Sequence, residues 1–225
     1  IPSLYPLGEA KSEKRIFEDP SRTIGVREYS PGDSLRRIHW KASARHRQLQ
    51  VKVFEPTTTL KAAIFLAIDS FQNQGLWDYD AMELGISTAA SLAQFMIDKN
   101  SQVGLLSNSK LADSDLPASI PSGSGVDQLL HILEALAKST PIYSESFLNY
   151  FQKERKGLPM GTTLIFVFAC IPDGLKAALT DLRESGYKVM VFQVGEVKDG
   201  EAVPEISWYS IREYGEPMLI NQQEN

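Results

Sequence analysis

Three stretches of the chain are apolar without interruption: Ala62 to Ile68, Leu164 to Ala169 and Val189 to Phe192. A weaker fourth runs from Val103 to Leu106. Such runs lack the period-two alternation of a half-exposed strand and suit strands covered on both faces of a parallel sheet. Between them the period changes. Met82, Ile86, Ala89, Ala93 and Met96 fall on one side of a helix over 80–99. Val126, Leu129, Leu130 and Leu133 follow i, i+3, i+4, i+7 and predict the core face of a second helix. Leu175, Ala178, Leu179 and Leu182 predict a third, with Gly186 as its stop. Tyr143, Phe147, Tyr150 and Phe151 form a fourth, roughly helical stripe, assigned to the core, with a partner groove as the alternative. A last strand is expected over 206–211, with Trp208 on the face of Ile206. This alternation predicts an α/β fold: a doubly wound, mostly parallel sheet with right-handed crossovers.

The N-terminal part has another texture. Ile1 to Pro20 is polar and reads as irregular, and Ser30-Pro31-Gly32-Asp33 is a turn signal. Gln48 to Val53 alternates at period two, as a half-exposed strand does. Ala112 to Gly125, rich in Ser, Pro, Asp and Gly, reads as a loop, and the polar tail 221–225 as a frayed end. Two domains are expected: 1–58, a basic segment with a β extension, and 59–225, the α/β body.

Composition narrows the class. The 225 residues carry 43% hydrophobic and 23% charged side chains, a globular balance. One cysteine excludes an internal disulfide framework. The longest apolar run, Leu164 to Ile171, is far short of the roughly 20 residues of a membrane span. No secretory signal is visible, and a chain beginning at Ile1 reads as a fragment or processed product. The net charge of −5 hides an asymmetry. Arg22 to Lys52 holds eight basic and two acidic residues, or +6, against −11 elsewhere. An acidic body argues against nucleic acid as a partner.

The basic window is also the most distinctive. It reads Gly25-Val-Arg27-Glu28-Tyr29-Ser-Pro31-Gly32-Asp33-Ser-Leu-Arg36-Arg37-Ile38-His39-Trp40-Lys41-Ala-Ser43-Ala-Arg45, then Leu49-Gln-Val51-Lys52-Val-Phe54-Glu55. This resembles the signature of the bacterial family called domain of unknown function 58. The resemblance implies that the body is similar to a von Willebrand factor A domain. It further implies transmembrane helices upstream, a position at the cytoplasmic face of the membrane, and a MoxR-type AAA+ ATPase as partner. It implies no reaction. The binding candidates are the signature residues Arg27, Glu28, Tyr29, Gly32, Asp33, Arg36, Arg37, Trp40, Lys41, Ser43 and Arg45. Two readings stand for them. Arginine forks suit bidentate pairing with Glu28, Asp33 and Glu55, with Trp40 offering a ring face to a cation. Alternatively, the surplus charge forms a docking surface for an acidic partner or for anionic lipid headgroups.

The same resemblance implies a divalent-ion site after the first body strand, built from Asp-x-Ser-x-Ser, a later Thr and an Asp before Gly. This chain offers Asp69-Ser70-Phe71-Gln72-Asn73, Ser122-Gly123-Ser124-Gly125 and Pro172-Asp173-Gly174. Asp69 matches, Phe71 has no donor, and Asn73, Ser124 and Asp173 are imperfect. Hydroxyl and carboxylate oxygens suit magnesium, but with this set no metal and no other cofactor is expected. Each residue also has a structural reading. Ser124, with Asp127 three residues on, fits a helix cap; Asp173 fits another; Asp69 can accept backbone N–H groups. His39, His46 and His131 lack ligand spacing, and Cys170 reads as a small core residue. No nucleophile–base set and no Walker-type phosphate loop is present. The function read from the sequence is therefore a non-enzymatic protein-interaction module, an adaptor of a membrane-linked AAA+ ATPase. The alternative is a divalent-metal phosphohydrolase or nuclease using Asp69 and Asp173.

Overall fold

The computed structural model describes residues 17–30, 33, 35–57, 60–198, 200–212 and 218–220. The chain divides into a small unit built on Lys14–Thr58 with Pro159–Gly161, and a large unit built on Thr59–Leu158 and Thr162–Asn225.

In the small unit, β1 (Phe17–Glu28) pairs antiparallel with β2 (Gln50–Thr57), and α1 (Trp40–His46) lies between them in sequence. The strand over Phe17–Glu28 corrects the irregular reading of residues up to Pro20; residues 1–16 lie outside the described set. The register Gly25↔Val53 to Glu28↔Gln50 is continued by Tyr29 N donating to Leu49 O at 2.9 Å. A single 3-10 turn, Leu35–Arg37, leads to Ile38, which bridges to Val51. Ile38 and Val51 are buried, and beside them so are Ser43 and Gln50.

The large unit is a mixed α/β body with a mostly parallel central sheet. Its elements in chain order are β3 (Lys61–Leu66), the short strands β4 (Gln72–Asn73) and β5 (Leu76–Trp77), α2 (Tyr79–Asp98), β6 (Gln102–Leu111), β7 (Ser114–Gly123), α3 (Val126–Ala137), β8 (Ser139–Tyr143), α4 (Phe147–Glu154), β9 (Thr163–Phe168), α5 (Leu175–Glu184), β10 (Lys188–Val194), β11 (Ser207–Ile211) and β12 (Met218–Leu219). The sheet order is β12-β11-β10-β9-β3-β6-β7, with β8 also pairing β6. The five strands β11, β10, β9, β3 and β6 are parallel; β7, β8 and β12 run antiparallel.

The uninterrupted runs are explained by cover on both faces. Ala62, Ile64 and Leu66 of β3 meet Met82, Ala89, Ala93 and Met96 of α2 and Ile132, Ala135 and Leu136 of α3 in one core cluster. Ala63 and Phe65 meet Phe147, Tyr150 and Phe151 of α4 and Leu175, Leu179 and Leu182 of α5 in the other. Phe65, Phe151 and Phe166 stack or meet edge to face at 5.1–5.3 Å between centroids. Ile206 and Trp208 do share a face, in this second cluster. Gly186, at φ 88°, ends α5: its N–H and that of Tyr187 reach Arg183 O and Leu182 O, a Schellman closure.

Four further expectations need correction. The loop assigned to Ala112–Gly125 is largely β7, an edge strand whose Pro117 and Pro121 fit only where an N–H is not needed for a further ladder. The α3 face is rotated: Ile132, Ala135 and Leu136 are buried, whereas Val126, Leu130 and Leu133 are exposed. Tyr143 lies in β8 and is exposed, unlike the buried Phe147, Tyr150 and Phe151. Cys170 is also exposed rather than in the core. Among the described residues, no helix is long and apolar enough to cross a membrane.

Candidate functional site

The signature segment folds around one hydroxyl. Ser43 Oγ accepts Gln50 N–H at 2.8 Å and donates to His39 O at 3.1 Å, joining α1 to the start of β2. His39 N–H donates to Gln50 O at 2.7 Å, and His39 Nδ1 accepts Ala42 N–H at 3.1 Å, capping α1. Arg47, at φ 56°, ends the helix. With Ser43 turned inward, α1 turns Trp40, Lys41, Ala44 and Arg45 outward; Trp40 is 69% exposed.

Arg27 grips Asp33 through both terminal nitrogens, at 2.7 and 2.5 Å. Ser30 N–H also donates to Asp33 at 2.8 Å, which closes the turn. The Arg27 hydrogen bonds, then that of Ser30, hold the Asp33 carboxyl below the usual carboxylate range. The network reading thus holds for Arg27 and Asp33. Glu28 is exposed, Tyr29 and Arg37 are half-buried, and Arg36 lies in the 3-10 turn. Gly32 and the side chains of Arg36 and Glu55 lie outside the described residues.

In the large unit, β3 connects onward to β6 on one side and is flanked by β9 on the other. The carboxyl ends of β3 and β9 thus mark the switch point in strand order, the edge at which open α/β sheets place ligands. The residues there are polar, and most point inward. Asp69 Oδ2 accepts Phe147 N–H at 2.8 Å, capping α4 from a distant part of the chain. Ser70 Oγ donates to Ala67 O at 2.6 Å and accepts Ala169 N–H at 3.0 Å. Asn108 accepts Ile68 N–H at 2.9 Å and donates to Glu145 O at 3.2 Å; Ser107 Oγ donates to Leu66 O at 2.7 Å. These contacts lock the turn after β3 to β6, β9 and α4. Asp69 Oδ1 is the exception: it is buried without a hydrogen-bond partner among the described residues.

The candidate ion ligands do not converge. Phe71 is buried, with its ring against α2 at Gly85, where a methyl group would overlap it. Asn73 is exposed on the β4–β5 hairpin, whose turn residues Gln74 and Gly75 have φ of 49° and 83°. Ser124 follows Gly123, which pairs with Val103 at the amino end of β6, whereas Asp69 follows the carboxyl end of β3. At about 3.3 Å per residue, roughly 13 Å of strand from Val103 to Ser107 separates those edges. Asp173 is exposed. The caps expected of Ser124 and Asp173 are replaced by Gly125 and Gly174, at φ 87° and 76°. Among the described residues no three His, Cys, Asp or Glu side chains gather as metal ligands. The donors present do not fit a magnesium site, which takes about six oxygens in near-octahedral geometry.

The rim instead presents apolar surface that the sequence reading missed. Leu76 is 78% exposed, Tyr79 61% and Ile142 57%. Trp77 and Tyr143 meet edge to face at 6.2 Å, and Tyr143 OH donates to Gln72 Oε1 at 3.2 Å, fastening the hairpin to β8. The positive-φ turn signal Gln74-Gly75 was the available clue.

Residues 25–212 match the family described as "Protein of unknown function DUF58". The chain is also similar to a Bacillus subtilis (strain 168) protein described as "Uncharacterized protein YeaD", 33% identical over 134 residues. That alignment covers 60% of this chain and 30% of the Bacillus protein, so the chain spans under a third of that relative. The family match covers most of the chain, and the protein belongs to the DUF58 family.

Proposed function

We propose that this DUF58 member is a non-enzymatic protein-binding module whose small unit offers the outer face of α1 to an acidic partner. The carrying observation is the split within the signature: Ser43 holds the fold, while Trp40, Lys41 and Arg45 remain exposed on one side of the helix. An exposed Trp beside two cations is the composition of a binding anchor. The resemblance supplies the partner class: an AAA+ ATPase of MoxR type, met at the cytoplasmic face of the membrane by an adaptor whose body is similar to a von Willebrand factor A domain. The sheet order and the switch point after β3 support that similarity. Titration of the cognate ATPase against the chain tests the proposal. Binding should weaken roughly tenfold or more in Trp40→Ala with Lys41→Glu and Arg45→Glu. Equal affinity for both would defeat it, as would binding of anionic vesicles with none of the ATPase.

One observation favours a metal-dependent rival: the buried, unpartnered Asp69 Oδ1. Calorimetry with magnesium and manganese separates the readings. Heat that disappears in Asp69→Asn would support an ion site there, serving either a hydrolase or nuclease or a metal-dependent adhesion mode; silence at millimolar ion would remove both.

A further inference from the structure

α3 carries more apolar surface than the sheet uses. Ile132, Ala135 and Leu136 seat the helix, and Gln128 Nε2 anchors it by donating to Val103 O at 2.7 Å and Pro121 O at 2.8 Å. Val126, Leu130 and Leu133 are left 79%, 61% and 38% exposed, and Ala137 is exposed in line with them. Their spacing of four, three and four residues is the d-a-d-a seam of a heptad repeat, and no helix pairs with it among the described residues. At 1.5 Å per residue the seam is about 16 Å long, three turns of helix.

The flanks of the seam select its occupant. In the same heptad, Asp127 and Glu134 hold the e positions, while the g positions, Leu129 and Leu136, turn toward the core. Lys138 lies between Glu134 and Asp113, 2.7 Å from each, and Asp127 lies at the other end of the helix, so the flank carries three carboxylates to one ammonium. An antiparallel second copy of this chain would bring acidic e positions against each other, and a parallel one would set them against g positions turned to the core. Val126, Leu130, Leu133 and Ala137 offer the footprint of a single helix, short of the roughly 800 Å² per partner of a stable dimer of whole chains. We propose that α3 receives an amphipathic helix of another protein, with an apolar heptad seam and Lys or Arg on its flanks. This surface uses neither α1 nor the sheet rim, so it stands or falls apart from the function proposed above.

Fluorescence anisotropy of the full chain with a labelled three-heptad peptide, Leu at a and d and Lys at e and g, tests it. Saturable binding that weakens with salt is expected. Leu130→Lys should weaken it roughly tenfold or more, and Asp127→Lys should weaken it and flatten the salt dependence. The same peptide with Glu at e and g, or scrambled at constant composition, should bind roughly tenfold more weakly. Trp40→Ala should leave it unchanged. Leu130→Gln, checked by circular dichroism, serves if Leu130→Lys does not fold. No saturable binding, equal binding of the scrambled peptide, or indifference to both Leu130 variants overturns the proposal. So does a dimer in sedimentation velocity that Leu130→Lys converts to monomer, which would make a second copy the occupant.

Discussion

Each of the two units is held together internally by different means. Among the described residues of the small unit, Ile38, Ser43, Gln50 and Val51 are buried, and the two polar ones bond each other. The large unit is held by two aromatic and aliphatic layers on either side of β3, with polar clamps at the end of β3 and a few buried polar bonds, such as Trp208 Nε1 to Gln193 Oε1, within the layers. The difference shows why polar residues mislead as functional signals here. Ser43, Asp69, Ser70 and Asn108 all look like chemistry in a sequence, and all fasten one element to another.

The largest test strikes the layered unit. Gly85→Ala puts a methyl into the Phe71 ring inside a close-packed face, and should cost about 1–3 kcal/mol in denaturant unfolding. A neutral result would mean that the Phe71 contact yields freely and that the layers are loosely packed. Ser43→Ala strikes the clamped unit. It strands the buried Gln50 N–H and should cost about 1–2 kcal/mol there. Amide exchange should quicken across β1 and β2 while β3 and β9 stay protected; uniform loss would erase the contrast between the units. Asp69→Ala removes a clamp from the layered unit, leaving Phe147 N–H without its acceptor, and should cost about 1 kcal/mol. Asp69→Asn, which keeps an acceptor oxygen, should cost less. The smallest effect concerns acid. Because Arg27 and Ser30 depress the Asp33 carboxyl, its contribution is complete above the unfolded value of about 3.9 and fades as pH falls through its lower folded value. The Ser30 amide should therefore hold its NMR shift down to about pH 4 and move only below it. Movement near neutrality would mean that another group controls the turn.

Much of the layered unit was legible in the sequence. The unbroken runs gave β3, β9 and β10, and the helical spacing gave the buried sides of α2 and α5, because deep burial leaves a one-sided pattern. Periodicity failed on α3, which has two apolar stripes; spacing alone does not say which meets the sheet. It failed on β7 because an edge strand tolerates Ser and Pro that a central strand rejects. At the sites, the specificity of the basic window was legible, but its division into inward Ser43 and outward Trp40, Lys41 and Arg45 was not. That division depends on a contact between α1 and β2. The separation of Ser124 from Asp69 was hidden for the same reason, since the antiparallel course of β7 sends Ser124 to the opposite edge.

Cys170 follows β9 beside the turn that carries Asp69, its amide N–H bonded to Ser70 O, and it is exposed. It is also the single cysteine in the sequence. A maleimide dye would therefore attach at one known place, without any engineering of the chain. Such a fluorophore would stand beside the Asp69 turn and report, by a change in emission, whatever arrives there.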